Sequence, residues 1–383
     1  MDFNLTTEQK DMQEAARKFA KGEFTRELAL KHEEEHSFPR ELWRKAAELG
    51  FVGLMFPEEF GGLGLGVTEN VLVVEAFCRQ DSGLGTALAL SDFASEILMR
   101  HGSDAQKREY MPGIAAGRII SAGAFTEPNH GSDITRMDTR AVRSGDNWVI
   151  NGTKTFITNG QIADFYLTLC QTDQEIKPSY KGMTILLVPK DSAGLTTEDV
   201  GSKMGIKMTS TAEISYNDVK VPAGNVVGSE GKGFYHVLEF FDESRVEIAA
   251  TALGIAQGAF DRAIAYQMER EQFGTPLIKF QINQHKLADM ATAIEYARLL
   301  TYKAAWNFDQ GRIDPKLTSM AKYVAAKTAV YVADEAIQLL GGYGYMTEYE
   351  VERFYRDAKI SEIYEGTKEI QKNTIAGALI KEL

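Results

Sequence analysis

The sequence predicts an α+β chain, mostly α, in three parts: an N-terminal helical domain, a central β-domain and a C-terminal helical bundle. Three observations carry this. Apolar residues recur at three- and four-residue steps to about residue 115, short β-branched and aromatic runs fill 118 to 228, and the helical period returns after Gly233. The divisions fall at 1–117, 118–230 and 231–383, in keeping with two or three domains for 383 residues.

In the first part Pro39 suits an opening helical turn, Gly50 a stop, and Ser103 with Gln106 a capping box. In the second, WVINGTKTFIT, DFYLTLC, MTILLVP and AEISYNDVKV read as strands, and Asn151-Gly152 predicts a hairpin turn. In the third, helices over about 235–272, 281–310 and 316–340 are separated by Gly274 and Pro276, by Gly311 and Pro315, and by Gly341, Gly342 and Gly344. A shorter helix follows Thr367. Long helices with short connections bury their apolar stripes as a bundle.

Composition removes several classes of function. With 42 basic and 54 acidic side chains the net charge is −12, which argues against a nucleic-acid groove. Cys78 and Cys170 are far apart and in no CxxC spacing, so the expectation is a reduced, cytoplasmic protein with neither a disulfide framework nor a thiolate metal site. The polar start is unlike a signal peptide, and no run approaches 18 apolar residues, so no membrane insertion is expected.

Some motifs match chemistry only formally. His32-Glu33-Glu34-Glu35-His36 fits HExxH, the basis of a remote zinc-hydrolase alternative, but its charged flanks and Pro39 favour a solvated acidic helix end. Gly61 to Gly66 follows no strand and reads as a turn, and the glycines around Lys232 lack the Ser or Thr of a phosphate loop. His101, His130, His236 and His285 have no partner at an interpretable spacing, and no metal site is expected.

Four stretches hold more. AFTEPNHGSD offers Thr126, Gly131 and Ser132 after a strand, and FITNG presents Phe156 and Thr158; together they suit a flat ring with polar edges, or are two glycine-rich turns. EREQFG places Arg270 beside Phe273, a cation for a pyrophosphate, and QLLGGYG ends a helix in glycines that admit a ligand to the backbone. RDAKISEIYEGT sets Glu365 between an aromatic residue and a glycine, where burial would make a general base.

The order TEPNHGSD, FITNG, DVKVP, EREQFG, LLGGYG, RDAKI and IYEGT resembles the acyl-CoA dehydrogenase flavoproteins over essentially the whole chain. The resemblance implies a C-terminal four-helix bundle, a homotetramer, and FAD between the β-domain and the bundle. It implies that Phe125, Thr126, Gly131, Ser132, Phe156 and Thr158 hold the flavin, with Thr367 and Glu369 nearby. Arg270, Phe273, Gln281, Gln338 and Gly342 would reach a neighbouring subunit's cofactor.

Glu365 matches the base that takes the α-proton of the acyl-CoA while the β-hydride leaves to flavin N5, and its backbone N–H would polarise the thioester carbonyl. Ser244 stands where other members carry the base, which leaves Glu365 in that role. Arg245 and Asp242 match residues near CoA, with Ser132, Tyr364 and Gly366 also at the substrate. The implied electron acceptor is electron-transferring flavoprotein. An oxidase, in this family usually a longer chain, or a non-catalytic acyl-CoA-binding flavoprotein are the alternatives.

The segment TALALSDFASEIL aligns with the acyl-pocket lining and carries Asp92. Asp92 either binds a backbone or water partner, or acts as a second acid or base in the pocket. In the second case it would serve an alicyclic acyl group, such as a cyclohexane- or cyclohexenecarboxyl thioester, rather than a short- or medium-chain one, and would disfavour acyl groups ending in a carboxylate.

Overall fold

A computed structural model describes residues 4–381, so the outermost residues of the expected terminal domains lie outside the described residues. The first helices are α1 (Thr7–Glu23), α2 (Arg26–Glu35), α3 (Arg40–Glu48), α4 (Val67–Gln80), α5 (Ser82–Ala89), α6 (Ser95–His101) and α7 (Asp104–Ala115). Thr6 and Ser103 cap α1 and α7 with reciprocal Gln side chains, satisfying backbone N–H groups that have no partner inside the helix. Phe19, Phe24, Phe51 and Phe77 pack as one aromatic group with centroids 5.3 to 5.9 Å apart.

The middle of the chain forms β1 (Ser121–Ala124), β2 (Arg140–Ser144), β3 (Asn147–Thr158), β4 (Phe165–Gln171), β5 (Met183–Pro189), β6 (Leu195–Asp199), β7 (Thr211–Pro222) and β8 (Val226–Val227). Their order is β6-β7-β3-β2-β4-β5-β8, with β1 added parallel to β4. Asn151-Gly152 is not the expected turn. β3 runs through it, and the turn to β2 lies at Gly145, φ 60°. Gly152 instead marks a register shift against β7, where a Cβ would come within 2.5 Å of Thr139 Cα.

The last third holds α8 (Gly233–Glu269), the short strands β9 (Glu271–Gln272) and β10 (Thr275–Pro276), then α9 (Gln281–Asp309), α10 (Pro315–Leu340), α11 (Val351–Ile360) and α12 (Lys368–Lys381). The helix expected to reach 272 stops at Glu269, because Phe273 and Gly274 at φ 53° and 69° turn the chain into a hairpin. Ala321, Ala325, Ala329 and Ala333 are fully buried along α10, and small side chains let the bundle helices approach closely. Among the described residues no helix is long and apolar enough to cross a membrane.

The zinc-hydrolase motif comes apart in three dimensions. His32 Nδ1 lies 2.7 Å from Ser37 Oγ, His36 closes α2 in the left-handed region, and Glu33 is paired with Arg356 at 2.7 Å. A general base committed to an arginine and two histidines without a common focus cannot hold an ion.

Candidate active site

Glu365 lies in the turn between α11 and α12 and is the one residue of that turn forced to φ 55° without being glycine; Gly366 follows at φ 85°. Strain of this kind persists only where surroundings over-determine it. Here the Lys322 ammonium, buried on α10, donates to the carbonyls of Tyr364 (2.8 Å) and Gly366 (2.7 Å). Gln371 Nε2 donates to the carbonyls of Glu365 (3.0 Å) and Gly366 (2.9 Å). The Glu365 side chain is aimed at α8, where Ser244 Oγ donates to Oε2 at 2.6 Å.

Burial raises the Glu365 carboxyl above its ordinary value, and the Ser244 hydroxyl, Lys322 and Arg245 oppose that rise without cancelling it. Burial also brings Lys322 down to about 8. One residue beyond Ser244, buried Arg245 donates to Asp242 at 3.0 Å, and burial raises Asp242 to about 6. Arg245 Nε and Tyr364 Oη are both shut off from solvent without a partner. Orphaned donors beside a carboxyl of raised pKa are the mark of a site that a ligand completes.

Glu247, one turn along α8 from Ser244, lines a cavity of about 20 Å³ with Asp92, Glu96 and apolar residues including Phe51, Leu54, Phe77 and Leu88. Asp92 Oδ2 accepts from the Gly53 N–H at 3.3 Å, so it has a backbone partner and faces the cavity as well. Burial raises Asp92 to about 6, and burial together with neighbouring carboxylates raises Glu96 and Glu247 further. Burial under an apolar wall shifts each of these acids toward its neutral form relative to an exposed carboxyl.

The expected flavin residues gather on the sheet side of this site. The carbonyl of Phe125 is tied to the buried Lys154 ammonium at 3.0 Å, and the Phe125 ring packs 6.0 Å from Phe240 and Phe241, just before Asp242 on α8. Lys154 also pairs with Glu127 at 2.8 Å, which anchors the TEPNHGSD loop to β3. Thr126 accepts from the Thr155 N–H, and Gly131 and Ser132 are exposed on that loop. Phe156 holds φ 56° and is 68% exposed, while Thr158 ends β3 half-buried. An aromatic ring presented to solvent from a strained backbone fits a flat ligand lying against it.

Arg270, Phe273, Gln281, Gln338 and Gly342 are exposed and gathered at one end of the bundle. Arg270 stacks 5.6 Å from the Tyr343 ring, next to Gly342, and Phe273 lies 6.4 Å from Phe280, next to Gln281. Phe273 is 95% exposed at positive φ. Thr367 Oγ1 accepts from the Ile370 N–H at the start of α12, and Glu369 is exposed there. Sequence reasoning passed over Lys322, Gln371, Glu96 and Glu247; the readable signal was a lone charge on an otherwise apolar helical stripe, as with Lys322 among the alanines of α10.

The chain matches three family profiles in order: acyl-CoA dehydrogenase N-terminal domain over residues 6–118, middle domain over 122–219, and C-terminal domain over 231–380. It is 42% identical over 382 residues to a short-chain specific acyl-CoA dehydrogenase of Clostridium acetobutylicum, covering 100% of each chain. Among solved structures it is similar to butyryl-CoA dehydrogenase of Megasphaera elsdenii, at 38% identity and a TM-score of 0.95 over 99% of this chain and 100% of that one. It is also similar to a chain solved in work on the electron transferring flavoprotein of Acidaminococcus fermentans, at 39% identity and a TM-score of 0.96 with full coverage of both.

Proposed function

The chain belongs to the acyl-CoA dehydrogenase family and is an oxidoreductase, and from that premise we propose that Glu365 takes the α-proton of a short-chain or alicyclic acyl-CoA. The observation that carries this is the Glu365 carboxyl itself: raised by burial, steadied by Ser244, and held in a strained turn by Lys322 and Gln371. A base of this kind is deprotonated late enough to be strong and is fixed in direction before substrate arrives.

Phe125, Thr126, Gly131, Ser132, Phe156 and Thr158 would hold FAD, with Thr367 and Glu369 nearby; the exposed, strained Phe156 is the feature that fits a flavin ring. Bound FAD would supply the acceptor for the β-hydride. The exposed end of the bundle with Arg270, Phe273, Gln281, Gln338 and Gly342 suits contact with a second subunit's cofactor, as in a homotetramer. Arg245, with its unsatisfied Nε, and its partner Asp242 would face the CoA portion, and Tyr364 and Gly366 the thioester. The likeness to the Acidaminococcus chain supports electron-transferring flavoprotein as the acceptor.

The test is the pH dependence of flavin reduction by acyl-CoA under anaerobic single turnover. Glu365 must be ionised to take the proton, and its folded pKa lies above 4.5, so the rate climbs with pH through an acid limb displaced upward from the usual glutamate range. A rate flat across the acid limb would remove Glu365 as the base.

Asp92 separates two substrate classes. It faces the small cavity with its carboxyl raised to about 6, so near neutrality it can exchange a proton with a ring carbon that a straight acyl chain does not present. Asp92→Asn is expected to slow turnover of cyclohexenecarboxyl-CoA by roughly tenfold or more while changing butyryl-CoA turnover by less than about threefold. Unchanged turnover on both substrates would leave Asp92 with its backbone contact to Gly53 as its whole role.

A further inference from the structure

Read along the chain, His101 and His236 are solitary; the fold joins them with Glu239 where the end of α6 meets the first turn of α8. Their imidazoles stack with centroids 3.8 Å apart and planes 26° from parallel, and His101 Nε2 lies 3.0 Å from a Glu239 carboxylate oxygen. His236 Nε2 is closed off from solvent and has no hydrogen-bond partner. His236 and Glu239 stand at positions i and i+3, so both lie on one face of α8.

One ligand atom from each residue lies within 4.8 Å of the others. Ligands about 2.0–2.2 Å from a tetrahedral ion sit roughly 3.3–3.6 Å from one another, and each imidazole binds in its own ring plane, so closure needs the atoms to draw in by about 1 Å and one ring to swing out of the stack. Packing around the pair is close. Gly228 abuts the ring, and a Cβ there would come within 2.4 Å of His236 Nε2. The neighbouring cations are engaged elsewhere, Lys232 over the Tyr235 ring at 5.4 Å and Arg100 with Glu243.

We propose that His101, His236 and Glu239 form a binding site for a divalent transition-metal ion, apart from the Glu365 turn, that ties α6 to α8. Two imidazoles and one carboxylate match Zn²⁺, Co²⁺ and Ni²⁺ and leave a fourth position for water. The other grouping of this kind, Glu127 with His130 and Asp138, offers no equivalent. Its Glu127 oxygens are already taken by Lys154 and by the N–H groups of Asp138 and Thr139.

The test uses the purified full-length protein, stripped with a chelator and titrated with Co²⁺. The expected result is one ion per chain, d–d absorption to the red of any flavin band, and displacement of that absorption by Zn²⁺. Glu239→Gln should weaken Zn²⁺ binding at least about tenfold, since even outer partners of metal ligands are worth that much, and His236→Asn should abolish it. Absence of the Co²⁺ bands in the wild-type protein, or Zn²⁺ affinity unchanged in Glu239→Gln, overturns the site. Both results stand whether or not His236→Asn folds.

Discussion

Replacing Glu365 by Gln is expected to slow flavin bleaching by acyl-CoA by roughly 10²–10⁴-fold, the range over which a positioned base acts. Glutamine has the same reach, and its amide oxygen can still accept from Ser244, so the turn and the flavin site keep their shape. What it cannot do is receive a proton. Acyl-CoA affinity should therefore change little while the rate collapses, the pattern of an interaction made only in the transition state. A loss of only a few fold would mean that another carboxyl, with Glu247 and Asp92 nearest the cavity, takes the α-proton.

Lys322→Met has the second large effect, and it moves two observables at once. Methionine fills much of the lysine's volume but removes both donors, leaving the carbonyls of Tyr364 and Gly366 without them at about 1–3 kcal/mol each. The melting temperature should fall by a few degrees, as expected for a chain of this size. Catalysis should fall more in kcat than in KM, because the strained φ of Glu365 relaxes and its carboxyl is no longer aimed. Lys322 also lowers the Glu365 pKa, so its loss raises that pKa and moves the acid limb of the rate profile to higher pH. A variant that melts earlier yet keeps the wild-type pH profile and kcat would reduce Lys322 to a structural tie.

The fold was legible because the hydrophobic period changes twice, and a change from period 3.6 to period 2 is a property of local sequence. The same reasoning failed where a local signal is overridden by distant packing. Asn151-Gly152 has the chemistry of a hairpin turn, but Thr139 from a neighbouring segment presses on Gly152 and the strand continues as a bulge. The α8 helix stops at Glu269 because the Phe273-Gly274 turn, not the helical stripe, decides the backbone there.

The candidate site was legible in part for the same reason. Glu365 stands in a short motif with an aromatic on one side and a glycine on the other, and the backbone at Gly366 shows why the glycine is required. The groups that hold it come from far along the chain, Lys322 on α10 standing 42 residues from the Tyr364 carbonyl it binds and Ser244 on α8 standing 121 residues from Glu365, separations at which no spacing carries information. RDAKI shows the converse. Its Asp357 accepts from Ser82 and the Ile206 N–H and Arg356 pairs with Glu33, so a motif as recognisable as IYEGT serves packing between elements rather than chemistry.

The most direct measurement is the anaerobic visible spectrum of the purified protein with FAD, titrated with butyryl-, octanoyl- and cyclohexanecarboxyl-CoA. A buried, positioned Glu365 carboxyl predicts that the flavin band is bleached by at least one of the three, and the one that bleaches it most readily identifies the acyl group the site takes. A flavin band left intact by all three substrates, or a protein that stays colourless after FAD is added, would contradict acyl-CoA oxidation at Glu365.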